Sequence, residues 1–440
     1  MSIIEGRAAI PSRKRVSLGI FKLSYLTMGQ MLVIDQLLLP MLRVGSISFK
    51  VSYFICGIWL LHWFQQTHCQ RDEIRDIVSV FSVFSLIIGC IILGELWLST
   101  IYPVDAHYEA LRSIISYIFC ALAFGLGRTV RDFNLNWLIP ILFTAIGLNI
   151  IFIYFHSSLP GWLINFYYPE RALADWGPMG ITTIEAILEL SRPRGLFGNP
   201  NASMLLVNII LLFITLGLRN KMVTIKSHWV SIIIIWLPLI LSLILGSRGE
   251  FIVSSTLGVL NFRELVRQQG HRLMRSLIGV LLVVFLFIGV GVSTTIGELS
   301  SLESLNRIGA LLNEESQENS NNTIARPLNQ LDITLHRFLN SPVFGTGISS
   351  AKAPIFSEGT QYYHNDWFML LTTAGIIGFM AMVWLFQRFT MSIGWPLIIP
   401  FVLPGMVNTF MLNIPAMIFF FFMIGVFRVQ LQAKEKIRMG

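Results

Sequence analysis

The sequence predicts an all-α fold, a polytopic integral membrane helical bundle of about twelve transmembrane helices with two long outer-side loops. Three observations carry this expectation. Only 13% of the 440 residues are Asp, Glu, Lys or Arg, against about 25% in soluble domains. The apolar share is 54% and the mean hydropathy is +0.68, so there is too little polar surface to cover a water-soluble particle. Finally, twelve spans of about 20 residues would occupy about 240 residues, which matches that apolar share. A soluble enzyme, a disordered chain and a collagen-like fibre are excluded. The formal net charge of +8 leaves nucleic acid open until the charge is mapped.

Apolar runs fall at 18–40, 46–64, 77–99, 109–127, 134–156, 200–218, 228–246, 250–262, 276–297, 366–387, 393–411 and 413–428. The first is interrupted by Lys22 and Asp35, and the eighth is short. Arg13, Lys14 and Arg15 resemble the flank of a signal peptide. The long apolar stretch behind them lacks a small-residue cleavage site, so it reads as an uncleaved anchor.

The connections alternate in charge. Inner segments hold Arg7, Arg13, Lys14 and Arg15; Arg71 and Arg75; Arg128 and Arg131; Arg219, Lys221 and Lys226. Further along come Arg263, Arg267, Arg272 and Arg275; Arg388; and Arg428, Lys434, Lys436 and Arg438. These twenty are the majority of the 32 Lys and Arg, as expected when positive connections stay inside. Both termini are therefore read as inside, and the net charge marks topology rather than a nucleic-acid surface. Cys56, Cys69, Cys90 and Cys120 lie in or beside spans, which argues against a disulfide framework. No metal-ligand spacing and no internal repeat are seen.

Two outer connections are long, 157–199 and 298–365, and long loops are usually functional or disordered. Glu298 to Asn322 is polar and predicted mobile. Residues 339–347, L-N-S-P-V-F-G-T-G, read instead as a tight backbone held against a neighbour. Residues 179–190 read as a short amphipathic interfacial helix. A division follows: 1–199 holds spans one to five and the first loop, and 200–440 holds spans six to twelve and the second.

Outer cations are the exceptions to the charge rule. Arg192 and Arg194 lie in S-R-P-R-G-L-F-G-N-P-N ahead of span six, and Arg248 lies in G-S-R-G-E between spans seven and eight. A guanidinium at that depth can donate two parallel hydrogen bonds to a phosphate. Pro200 and Asn201 open the next helix, whose N-terminus is itself an anion site. For a single arginine, snorkelling to ordinary headgroups is the plainer explanation; three, two of them in Gly-rich turns, favour a phosphate site. The second cluster is Gln361-Tyr362-Tyr363-His364-Asn365-Asp366-Trp367, followed by Gly375 and Gly378. His364 can serve as general base at a helix end; the alternative is an interfacial His in an aromatic belt. The two glycines read as close helix contacts, and Pro396, Pro400 and Pro404 as kinks in span eleven.

R-P-R-G-L-F-G-N-P-N, S-R-G, S-P-V-F-G-T-G, and H-N with a later G-x-x-G occur in that order over about 190–380. This set resembles the O-antigen ligase and O-antigen polymerase superfamily of bacterial membrane glycosyltransferases. The resemblance implies a helical bundle in the inner membrane with a periplasmic site and no metal ion, nucleotide sugar or other cofactor. It implies an undecaprenyl-diphosphate-linked glycan donor and an acceptor glycolipid, either a second lipid-linked repeat unit or lipid A core. By the resemblance Arg192 (or Arg194) and Arg248 hold the diphosphate and His364 acts on the acceptor hydroxyl. Beside the resemblance, Arg326, Arg337 and Tyr363 are second-tier candidates for gripping donor or acceptor glycan, and Asn201, at the opening of the next helix, is a candidate substrate contact. A polymerase is slightly favoured over a ligase because the long polar loop could accommodate varied glycans. A transporter or lipid flippase is the competing class, and would need polar groups along the midplane and usually a repeat. A non-catalytic assembly scaffold is the remaining reading.

Overall fold

The computed structural model describes residues 15–18, 21–39, 42–44, 47–65, 71–101, 108–155, 158–163, 200–245, 247–270, 334–349, 366–399 and 413–439. Ten helices organise them: α1 Tyr25–Leu37, α2 Val51–Gln65, α3 Arg71–Ile101, α4 Tyr108–Thr129 and α5 Leu138–Tyr154. They continue with α6 Pro200–Arg219, α7 His228–Ile244, α8 Arg248–Gln269, α9 Asp366–Ile393 and α10 Ile414–Met439. The protein is helical, and among the described residues five helices are long and apolar enough to cross a membrane: Asp72–Ile101, Leu135–Tyr154, Asn201–Arg219, Trp367–Ile393 and Ile414–Ile437.

The first two spans depart from expectation. Strand Arg15–Leu18 pairs antiparallel with Phe21–Ser24, and Leu42–Val44 pairs with Ile47–Phe49. Helix α1 starts only at Tyr25, because Ser24 caps it by accepting the Thr27 N–H at 3.1 Å. Its 13 residues rise about 20 Å, less than the hydrocarbon thickness of about 30 Å. The 15 residues of α2 rise about 22 Å. Asp35, which interrupts the first apolar run, joins these helices: its carboxylate accepts the Ser52 N–H at 2.9 Å, and Lys50 Nζ donates to the Asp35 carbonyl at 2.6 Å. Span eight is also redrawn. Helix α8 runs 22 residues, and its later turns carry Arg263, Glu264 and Arg267, so it is not apolar enough to count as a crossing by composition. Spans nine and most of eleven lie outside the described residues; Pro396 sits in a short 3-10 turn, Trp395–Ile398.

Helices α6 and α10 form the centre. Of their apolar windows, 89% and 83% are buried inside the protein, against 39–50% for the other three long apolar helices. The run Phe419-Phe420-Phe421-Phe422 is fully enclosed, and Phe213 of α6 lies 5.5–5.9 Å from the rings of Phe419, Phe420 and Phe427. Helix α4 approaches α10 closely: a Cβ on Gly425 would stand 2.4 Å from the Phe124 carbonyl oxygen. Small residues at such crossings let apolar helices pack without a hydrophobic driving force between them.

One end of the bundle gathers the connections that the charge pattern reads as inner. Arg128, Arg388 and Arg428 all pair with Asp76. Gln430 donates to the Phe133 carbonyl, Lys434 to those of Asn220 and Lys221, and Gln269 to that of Ile225. Of the cysteines, Cys56, Cys90 and Cys120 are buried free thiols; Cys69 lies outside the described residues.

Candidate functional site

At the opposite end, α6 and α8 begin side by side. Ser247 Oγ donates to Asn201 Oδ1 at 2.8 Å, which ties the first turn of α6 to the residue ahead of α8. Ser247 occupies the cap position of α8 in extended conformation and makes no side-chain bond to the first-turn amides. The N-terminus of a helix carries the positive end of its dipole, which favours negative charge. Arg248 is the first residue of that helix, so its backbone stands where the sequence reading put a phosphate-holding cation. Asn201 is its neighbour through Ser247.

Two turns into the bundle lies a buried polar cluster that the sequence reading missed. Glu250 is fully enclosed. Asn208 Nδ2 donates to Glu250 Oε2 at 2.6 Å and to its carbonyl at 3.1 Å, while Ser254 Oγ donates to Asn208 Oδ1 at 2.7 Å. An acid inside an apolar bundle is costly and needs such partners. The signal was present in G-S-R-G-E, where Glu250 follows Arg248 by two residues, but its partner Asn208 lies 42 residues away.

The second part of the site is a knot of backbone. Helix α9 is broken at Gly375, whose φ of 63° and ψ of −169° are non-helical. Residues 341–349 dock into the break: the Thr346 N–H donates to the Thr372 carbonyl at 2.7 Å, and the Ile376 N–H donates to the Pro342 carbonyl at 2.9 Å. The groups released by the break are thereby satisfied from the loop. A Cβ on Gly375 would lie 2.3 Å from the Val343 carbonyl oxygen. A Cβ on Gly378 would meet Ala374 of its own helix at 2.4 Å and Ile87 of α3 only at 3.8 Å, so neither glycine makes the expected close helix contact; Gly375 serves the loop. On its other side the loop meets α3, where Glu95 Oε1 accepts the Ser349 N–H at 2.8 Å. Gly94 lies against Gly347, with room for no Cβ.

Arg337, on a helical segment at 334–340 that leads into this loop, is 1% exposed, so its side chain is enclosed rather than open to solvent. Arg192, Arg194, Arg326, Tyr363 and His364 lie outside the described residues; the first described residue of α9, Asp366, follows His364 by two.

Residues 233–383 match the family model for O-antigen ligase. This match supports the resemblance of the region to the O-antigen ligase and polymerase superfamily. The O-antigen ligase region contains Arg248, Glu250, the docked loop, His364 and the break at Gly375. Arg192, Arg194, Asn201 and Asn208 precede it. No curated protein and no solved structure matches the chain.

Proposed function

We propose that the chain is a metal-independent, inverting glycosyltransferase of the bacterial inner membrane, moving a glycan from undecaprenyl diphosphate to a sugar hydroxyl at the periplasmic side. The observation that carries this reading is Arg248 as the first residue of α8, a helix tied to the start of α6 through Ser247 and Asn201 and lying within the region matched to O-antigen ligase. Fixed cations and helix-end amides favour a diphosphate most when it leaves, since its charge grows as the glycosidic bond breaks. In the reaction His364 takes the proton of the acceptor hydroxyl. The resulting oxygen attacks the anomeric carbon from the face opposite the phosphate, the bond from that carbon to the phosphate oxygen breaks, and undecaprenyl diphosphate departs against Arg248 and Arg192 or Arg194. Asn201, Arg326 and Tyr363 are assigned to glycan contacts. For the enclosed Arg337, we assign support of the 341–349 loop ahead of glycan contact.

The preferred acceptor is a second lipid-linked repeat unit, which makes the protein an O-antigen polymerase in lipopolysaccharide or exopolysaccharide assembly. The family description favours the second reading, a ligase acting on lipid A core. The deciding experiment is transfer by purified protein from a defined undecaprenyl-linked donor to each acceptor in turn. Arg248→Ala and His364→Ala should each lower turnover at least about a hundredfold with membrane insertion intact. Arg248→Lys should also be impaired, because an ammonium cannot reproduce the planar fork. Near-normal turnover by His364→Ala would remove the general base, and transport of donor without glycosidic bond formation would favour a flippase.

A further inference from the structure

The end of the bundle opposite Arg248 holds an ion cluster whose charges do not cancel. Asp76 of α3 receives Arg388 Nη2 of α9 at 2.8 Å, Arg428 Nη2 of α10 at 3.0 Å and Arg128 Nη2 of α4 at 3.1 Å. One carboxylate thus faces three guanidiniums. The next acid along α3, Glu73, is already engaged by Arg131 at 2.5 Å, and Asp72 beside it is exposed. Arg128 is wholly buried, and although its Nη2 also reaches Gln432 Oε1 at 2.8 Å, its Nε and Nη1 find no hydrogen-bond partner among the described residues. Burying cations without compensating charge is expensive, so the arrangement calls for an anion from outside the chain.

A cavity of about 490 Å³ opens beside this cluster, lined by Trp384, Gln387, Arg388, Met391, Ser392 and Arg428. Its chemistry is graded. Arg388 and Arg428 supply charge, and Gln387 and Ser392 supply neutral polar groups. Trp384, 47% exposed, and Met391, 77% exposed, present apolar surface outward. The Arg388 guanidinium lies 5.4 Å from the Trp384 ring centroid, which holds it at the boundary between the two. A free inorganic anion would use only the charged part. A phosphodiester joined to acyl chains would use both, and basic pockets between transmembrane helices at the cytoplasmic surface suit such headgroups. The 19 residues from Asp76 to Glu95 along α3 put this cavity about 28 Å from the knot at the other end, so it is separate from the proposed donor site.

We propose that this cavity binds the phosphate headgroup of an anionic membrane phospholipid, whose charge completes the Asp76 cluster and clamps α3, α4, α9 and α10 together at the membrane surface. The test uses the purified full chain in neutral detergent, with dioctanoyl phosphatidylglycerol, dioctanoyl phosphatidylcholine or inorganic phosphate added. Native mass spectrometry counts retained lipid, and thermal unfolding reads protection. Phosphatidylglycerol is expected to bind saturably and raise the unfolding temperature, with phosphatidylcholine and phosphate ineffective at the same concentration. Arg388→Gln should weaken that binding at least tenfold. Ser392→Trp, which fills the cavity from an exposed position and leaves every charged residue of the cluster in the sequence, should do the same with an unchanged helical circular-dichroism spectrum. Equal binding of the two lipids, wild-type affinity in both variants, or phosphate protecting as well as phosphatidylglycerol would each overturn the proposal.

Discussion

Gly375 breaks α9 where the 341–349 loop docks, and no other residue type fits there. A side chain at φ 63° costs about 1–2 kcal/mol in backbone strain alone, and its Cβ would meet the Val343 carbonyl at 2.3 Å. Gly375→Ala is therefore expected to destabilise the protein by more than about 2 kcal/mol in thermal unfolding and to abolish transfer. Gly89→Ala in α3, where a Cβ meets nothing within 4 Å, is the control and should be neutral or stabilising by up to about 1 kcal/mol. A second residue-scale expectation concerns Asn208. Replacing it by Leu removes the donor to the buried Glu250 carboxylate and should cost about 1–3 kcal/mol. Unchanged stability would mean that Glu250 is satisfied without Asn208. The readability of these positions from sequence differs for a physical reason. Arg248 and Asn201 stand in turn chemistry that is local. Asn208 and Glu250 are joined only by the packing of α6 on α8, which no spacing rule encodes.

At the scale of elements, the 341–349 segment shows what a turn signal can and cannot reveal. The paired glycines Gly345 and Gly347 read as tight backbone, and both have positive φ, 81° and 76°. The surfaces they meet, Thr373–Gly375 on one side and Gly94–Glu95 on the other, could not be read, because both lie in runs that look like uninterrupted spans. Glu95 is where this dock can be loosened without altering a helix. Glu95→Ala strips the Ser349 N–H of its acceptor, leaving a buried donor unsatisfied at about 1–3 kcal/mol. Limited proteolysis should then cut near 341–349 faster than in the wild type. Glu95→Gln retains an oxygen acceptor and should stay close to wild type. Equal cleavage of both variants and wild type would show that the glycine contacts alone hold the loop. The hairpins ahead of α1 and α2 were illegible for a different reason: their short strands, R-V-S-L, F-K-L-S, L-R-V and I-S-F, run on into apolar helices, and a hydropathy window averages over both.

For the whole molecule, the direction of each helix constrains the parts that connect them. Helix α8 ends among the inner connections, with Gln269 bonded to Ile225, while α9 begins at the end holding Gly375 and Gly94. Helix α9 ends among the inner connections too, where its Ile393 carbonyl receives Asn220, and the later turns of α10 return to Asn220 through Lys434. Helices α1 and α2 meet through Asp35, Lys50 and Ser52. Which end faces the periplasm decides whether the proposed chemistry has access to its acceptor, and it can be measured by cysteine labelling. In a Cys69→Ser background, whose other three cysteines are buried, cysteine is introduced singly at Ser158, Thr224 or Leu339, all exposed. A membrane-impermeant maleimide applied to spheroplasts should label the Ser158 and Leu339 variants at once and the Thr224 variant only after permeabilisation. The reverse pattern would place Arg248 at the cytoplasmic surface, where a periplasmic acceptor cannot reach it, and the glycosyltransferase reading would fail with the topology.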